Sequence, residues 1–235
     1  MRFEYIKSDI SDPYRNLALE ECLTDHVYPG FAILFLWHND NTIVVGRNQD
    51  VYSECRVSDF MESGGKIARR RSGGGAVYHD AGNLNYSIIS AVSDLEKCRY
   101  QDIAGKALSC LQIPWEYNGR NDLLSRGRKF SGNASYRSGE AMVQHGTLLI
   151  ESDTEKMERF LTPGEAKLAG NHVKSVSSRV ICLKEVSDVV SAESLSEGLI
   201  RAVSAERFNG IPDDDRLREL TRFYSGEEWI YGGKR

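Results

Sequence analysis

Few of the features that assign a chain to a specialised class occur here. No apolar run is longer than the seven residues Phe31–Trp37, against roughly 20 for a bilayer span, so no membrane helix is expected. The opening Met1-Arg2-Phe3-Glu4-Tyr5-Ile6-Lys7 is charged and lacks an apolar core, so no secretory signal is visible. Cysteine is sparse: five residues, at 22, 55, 98, 110 and 182, with no C-x-x-C pair. That excludes a disulfide framework and a zinc knuckle. The five read as buried small apolar residues in a reducing, cytoplasmic setting. Basic charge is not in excess, since 30 Lys and Arg face 34 Asp and Glu for a net −4. A chain whose partner is bulk nucleic acid usually leans the other way. No repeat, low-complexity stretch or proline-rich linker divides the sequence.

What remains is an ordinary composition, 40% hydrophobic over 235 residues, enough for one large packed domain. Residues 2–7 alternate like a strand. Asp12-Pro13 reads as an N-cap with proline at the first helical position, opening a helix over 13–26. Residues 31–37 and 42–46, joined by His38-Asn39-Asp40-Asn41, read as a hairpin. A short helix over 53–63, a strand over 66–71 and another over 83–90 follow. A helix is predicted over 93–112, then strands near 115–118, 122–124, 128–136 and 141–150. Helices near 154–161 and 192–208 come next, and Phe223, Tyr224, Trp229 and Tyr231 are the last apolar anchors. Strands cluster rather than alternating strictly with helices. The pattern predicts an α+β fold with a mixed, largely antiparallel sheet flanked by helices.

The most informative stretch is Ala68-Arg69-Arg70-Arg71-Ser72-Gly73-Gly74-Gly75-Ala76-Val77-Tyr78-His79-Asp80. Three glycines after a basic strand let backbone N–H groups face a ligand closely. Such a nest of amides binds anions, and arginines strengthen it. Known phosphate loops fail on spacing. G-x-G-x-x-G meets Tyr78 at its sixth position, while Gly65-Lys66 and Gly105-Lys106 are followed by Ile67 and Ala107 instead of Ser or Thr. A second group is Gly119-Arg120-Asn121-Asp122-Leu123-Leu124 with Gly127-Arg128-Lys129-Phe130-Ser131-Gly132-Asn133-Ala134. It sets a lysine on a strand after a tight turn, able to point its ammonium at an anion. A third is Gln144-His145-Gly146-Thr147-Leu148-Leu149-Ile150. The histidines at 26, 38, 79, 145 and 172 show no metal-ligand spacing.

Together these blocks, in order along nearly the whole chain, resemble the lipoate–protein ligase family. Asn16-Leu17-Ala18-Leu19-Glu20-Glu21 and Ser175-Val176-Ser177-Ser178-Arg179-Val180 match as well. The resemblance implies the fold shared with biotin ligases, ATP-dependent activation of lipoate to lipoyl-adenylate, and transfer of the lipoyl group to a lysine of apo lipoyl-domain proteins. It implies that Arg70 and the backbone of Gly75, Ala76, Val77 and Tyr78 hold phosphates and the acyl carbonyl. Lys129 is implied as the catalytic cation, touching the lipoate carboxylate and α-phosphate. Ser72, Gly73, Gly74, Asn83, Asp122 and His145 complete the implied binding set, with Mg²⁺ expected on the phosphates. Arg71 stands where many relatives carry a small or polar residue.

The chemistry suits these residue types, because a carboxylate attacking an α-phosphate brings two anions together. Cationic and amide donors must surround their meeting point. Asp122 is read either as a partner of Lys129 or as a metal ligand, and Phe35, Trp37 and Val45 either as an acyl slot or as plain core. Two other functions are weighed: an octanoyl or lipoyl transferase using a preformed activated donor, and a non-catalytic lipoate- or nucleotide-binding module. A cysteine thioester is disfavoured, since 113–121 has no cysteine. In two-domain relatives the catalytic domain ends after a W-x-x-G element, which Trp229-Ile230-Tyr231-Gly232 fits. Residues 1–235 are therefore expected to be one catalytic domain, with a separate small polypeptide assisting activation.

Overall fold

The computed structural model describes residues 1–162, 179–210 and 213–232. Their largest element is an eight-stranded mixed sheet in the order β11-β1-β2-β6-β10-β9-β8-β7. In chain order these strands are β1 (Arg2–Lys7), β2 (Phe31–Trp37), β6 (Asn83–Ala91), β7 (Glu116–Tyr117), β8 (Asp122–Ser125), β9 (Arg128–Ser138), β10 (Ala141–Leu149) and β11 (Glu206–Arg207). Only the β11–β1 and β1–β2 pairs are parallel. A second sheet of three strands has the order β4-β3-β5, from β3 (Thr42–Val45), β4 (Lys66–Arg69) and β5 (Val77–His79). The expected α+β class, with a mixed and largely antiparallel sheet, is the fold observed.

Both faces of the large sheet are covered, which explains the unbroken apolar run in β2. Ala32, Leu34 and Leu36 face the helices Tyr100–Cys110 and Ala192–Ala202 through Ile103, Ala107, Leu195 and Leu199. Ile33, Phe35 and Trp37 face Leu17 and Ala18 of α1 (Pro13–Cys22) and Leu217 and Tyr224 of the helix Asp214–Ser225. A strand buried on both sides has no polar positions to alternate with. The small sheet packs its own core, Ile43, Ile67 and Tyr78, on Phe60, Phe160 and Ile230.

Several expectations are corrected. The segments 31–37 and 42–46 form no hairpin, because β2 pairs with β1 and β6 while β3 pairs with β4 and β5. Their four-residue link passes from one sheet to the other, anchored by buried Asn39. The helix opened by Asp12, whose carboxylate accepts from the N–H groups of Tyr14 and Arg15, ends at Cys22 and tightens into a 3₁₀ turn over Leu23–His26. The predicted 93–112 helix is a 3₁₀ segment, Val92–Lys97, and a separate helix from Tyr100, because Arg99 between them is extended. The 192–208 helix stops at Ala202, and after Ser204 (φ +50°) Glu206–Arg207 add to the free edge of β1. Local periodicity carried no sign of that edge.

Candidate functional site

The last residue of β4 and the two that follow it are arginines with three different tasks. Arg69 is almost fully buried. Its Nε donates to the carbonyls of Trp229 and Ile230, and its Nη1 to those of Gly46, Arg47 and Gln49. Arg70 turns to the other side and grips the loop that follows. Its Nη2 donates to the Gly73 and Gly75 carbonyls at 2.7 and 2.9 Å, its Nη1 to Val44 and its Nε to Ser72 Oγ. Burial lowers its pKa to about 10, so it stays charged near neutrality. Arg71 makes a bidentate pair with Glu21, both contacts 2.9 Å. Its guanidinium also lies 4.7 Å from the Phe223 ring centre and 5.1 Å from that of Trp229.

These clamps shape the glycine loop over residues 72–76. Gly74 sits at φ +92°, and a Cβ there would lie 2.8 Å from the Arg70 guanidinium. The loop also presses on Gly46, where a Cβ would stand 1.9 Å from the Gly74 carbonyl oxygen. No side chain fits either place. The loop's exit is held by Glu54, whose carboxylate accepts the Ala76 N–H at 2.7 Å.

Opposite the loop, β8 and β9 turn tightly through Arg126 (φ +52°) and Gly127 (φ +72°), as a two-residue hairpin of the favoured twist requires. Leu124 stands opposite Lys129, and a register shift at Leu123/Leu124 then sets Leu123 opposite Ser131 and Asp122 opposite Gly132. Lys129 Nζ lies 2.7 Å from Asp122 Oδ1, with both side chains about one-third exposed. Behind the loop runs a buried relay. His145 Nδ1 is 2.9 Å from Glu20 Oε1, and His145 Nε2 is 2.6 Å from Ser72 Oγ. The carboxylate accepts, so Nδ1 carries a hydrogen.

Two cavities meet here. The larger, about 400 Å³, is walled by Glu54, Tyr78, Leu149, Met157 and Val180 among others. The smaller, about 180 Å³, is a slot lined by Leu17, Trp37, Val44, His79 and His145 among others. Ala76, Val77, Asp122, Lys129, Gly132 and Thr147 line both. An apolar slot opening into a larger cavity, with an ammonium and loop amides at the junction, suits two ligands joined through anionic groups.

The comparisons with known proteins agree on one family. The lipoyl protein ligase A/B catalytic domain matches residues 12–204. This chain belongs to that family. Lipoate-protein ligase A of Psychrobacter cryohalolentis is 36% identical over 202 residues, covering 86% of this chain and 60% of that protein. The Bdellovibrio bacteriovorus lipoate-protein ligase A is 34% identical over an alignment of 242 residues, covering 96% and 70%. The chain thus spans 60–70% of the length of these relatives. Among solved structures, P. falciparum LipL1 in complex with lipoate superposes with a TM-score of 0.82 at 25% identity, over 99% of this chain and 75% of that one. A bi-partite lipoate protein ligase from Thermoplasma acidophilum, described with its E2 lipoyl domain, has the same TM-score at 24% identity, covering 100% and 97%.

In this family member the predicted site residues divide into three groups. Gly75, Ala76, Val77, Tyr78, Asp122, Lys129 and His145 line one or both cavities, as does Arg70. Four hydrogen bonds of Arg70 nevertheless go to the protein, leaving one of its five N–H groups. It braces the loop while also lining the slot. Gly74 lines the slot, and Gly73 faces a shallower depression beside it with Asn121 and Asn133. Ser72 and Asn83 lie on none of these walls. Ser72 is spent on Arg70 and His145, and Asn83 donates to Asn85. Phe35 and Val45 are core, while Trp37 and Val44 line the slot. Of the 175–180 match, residues 175–178 fall outside the described residues, and Arg179 and Val180 line the larger cavity. Sequence reasoning missed Glu54, which carried no spacing signal, and gave no role to His79, although His79 stands within the glycine-loop block.

Proposed function

We propose that residues 1–235 are a single catalytic domain that joins lipoate to ATP and passes the lipoyl group to a lysine. In the first step a lipoate carboxylate oxygen bonds to the α-phosphorus and pyrophosphate leaves. In the second, a lysine amine of an apo lipoyl-domain protein attacks the acyl carbonyl, loses a proton, and AMP leaves. The observation that carries this reading is the junction of the two cavities at Lys129. The acyl chain fits the apolar slot and the nucleotide the larger cavity, so their anionic ends meet at the ammonium and at the Ala76 and Val77 backbone. Asp122 keeps the ammonium in place before the anions arrive, and a preorganised donor needs no reorientation during reaction.

Asp122 and Glu54 are the carboxylates on the larger cavity's wall, and no group of three or more metal-ligating side chains occurs among the described residues. That donor set suits Mg²⁺, which takes one or two carboxylates together with substrate phosphates and water. Mg²⁺ would supply charge neutralisation on the phosphates. No cysteine lines either cavity among the described residues, which weighs against a thioester route. All five cysteines are free, in keeping with a reducing cytoplasmic setting. No helix among the described residues is long and apolar enough to cross a membrane.

Lys129→Ala is expected to slow single-turnover lipoylation by about 10²–10³ while the melting temperature holds. Retention of a third of the rate removes Lys129 from the site. The finer proposal is that a separate polypeptide assists activation, in keeping with the bi-partite ligase of the Thermoplasma protein. Acceptor lipoylation from lipoate plus ATP is then expected to lag far behind that from preformed lipoyl-adenylate. Equal, fast rates from both donors overturn it and leave a self-sufficient ligase.

A further inference from the structure

The ribbon that carries Lys129 parts from β10 at Asn133. There β9 makes its last pairing with β10, opposite Gly146. Residues 128–132 pair with β8 alone among the described strands, with one parallel bridge from Lys129 to Val180. A two-stranded ribbon is marginally stable at best by itself. The Ile181 N–H donates to the Lys129 carbonyl at 2.9 Å and holds the backbone there. The ammonium is aimed by Asp122, so the site depends on what places Asp122.

Asn133 is buried at the root of this ribbon. Its side-chain Nδ2 donates to the Asn121 carbonyl at 3.0 Å, and its backbone N–H donates to the same oxygen at 2.8 Å. A carbonyl only accepts, so that end of the amide is the nitrogen. Nδ2 also donates to Ser131 Oγ at 3.0 Å. Oδ1 is then the accepting end, and the hydroxyl of fully buried Tyr86 donates to it at 2.5 Å. Gly146 leaves room for this amide, since a Cβ there would lie 1.9 Å from Asn133 Oδ1. Both side-chain N–H groups are spent within the protein, none on a ligand. The clamped Asn121 carbonyl belongs to the peptide group that leads into Asp122. On the solvent side Asp122 is held by exposed Asn118, which accepts its backbone N–H and donates to Oδ2, both at 3.2 Å.

We propose that Asn133 is a positioning residue: by clamping the Asn121 carbonyl it fixes Asp122, and through Asp122 the direction of the Lys129 ammonium. This rests on the ligase reading above, in which that ammonium meets the acyl and phosphate charges. A displaced cation costs rate more than binding, because the transition state demands closer placement than the ground state.

Single-turnover transfer from preformed lipoyl-adenylate to an apo lipoyl domain tests this. Asn133→Ala is expected to slow the step at saturating adenylate by about tenfold, while the Kd for adenylate changes by about twofold or less. The deciding measurement is the same substitution made in Asp122→Ala. With no carboxylate left to place, Asn133→Ala should cost about twofold or less there, since residues that act through one another are not additive. An equal loss in both backgrounds overturns the proposal, as does a wild-type rate in folded Asn133→Ala. Should the unpaired Tyr86 hydroxyl keep Asn133→Ala from folding, the same cycle is run in Tyr86→Phe, which removes that hydroxyl together with its acceptor. If the wild type transfers no lipoyl group, the ligase reading itself fails and this proposal falls with it. Transfer by the wild type without the Asp122 coupling overturns this proposal alone.

Discussion

Lys129, Glu54 and His79 show how differently single side chains announce themselves. Lys129 stands in a motif with glycines and small residues around it, whereas Glu54 is one acid among many on a short helix. Glu54 occupies the Ala76 N–H with a full negative charge inside the larger cavity. Glu54→Gln keeps an accepting oxygen and removes the charge, so an anionic nucleotide should bind several-fold tighter in Mg²⁺-free buffer. Weaker binding in that buffer means that the carboxylate serves the ligand directly. His79 has a consequence for stability. Its folded pKa is about 3, against roughly 6.5 when unfolded, so the unfolded chain takes up this proton first as pH falls. The stabilisation from keeping it neutral is complete above about pH 6.5 and is lost as pH drops toward 3, at up to about 1.4 kcal/mol per pH unit. His79→Gln should flatten the pH 7 to 5 limb of urea stability relative to the wild type. Parallel curves would show that His79 does not govern it.

At the scale of elements, the glycine loop hangs between β4 and β5, and its shape depends on what grips β4. Trp229 Nε1 donates to the Arg69 carbonyl at 2.9 Å, answering the bonds that Arg69 sends to Trp229 and Ile230. Arg71 ties the same C-terminal aromatics to Glu21 of α1, and Tyr224 donates its hydroxyl to that carboxylate. Arg71→Ala is expected to cost about 1–3 kcal/mol in urea unfolding, from a bidentate pair and stacked rings in a half-buried place. Arg71→Lys should recover little, since an ammonium has neither the fork nor the flat face. Full recovery with lysine would reduce the contact to simple charge. On the neighbouring segment, Gly46→Ala forces its new methyl into the Gly74 carbonyl. Adenylate binding should fall by more than tenfold while the three buried cores, which Gly46 does not enter, keep the melting temperature within a few degrees. An unchanged Kd would show that the loop shape is dispensable.

Across the whole molecule, the site is assembled from segments far apart in the chain. α1, β4, β5, β8–β10 and the helix Glu227–Tyr231 all contribute a wall or a brace. A chain cut after Ser225 is expected to lose Trp229 and Ile230 from Arg69, leaving a buried guanidinium short of acceptors. Its unfolding midpoint should drop and its lipoyl-adenylate affinity should fall with it. Intact affinity after that cut would free the loop from the C-terminal brace.

The sequence by itself determined the α+β class, most strands, the N-cap at Asp12, and the loop and lysine blocks. These are local matters, in which periodicity, capping residues and glycine runs state their physical requirements within a few positions. It also marked Arg70 and Ser72 as part of the site, but not as braces, because a motif names residue types and not the direction each side chain takes. Only the tertiary structure decided that 31–37 and 42–46 belong to different sheets, since a four-residue link serves a hairpin and a crossing equally well. Only it gave Arg71 its cage of rings, which lie some 150 residues further along the chain. And only it left the His79 Nε2 without a partner: that depends on three asparagine and histidine side chains, from residues 16, 39 and 79, meeting in one buried place.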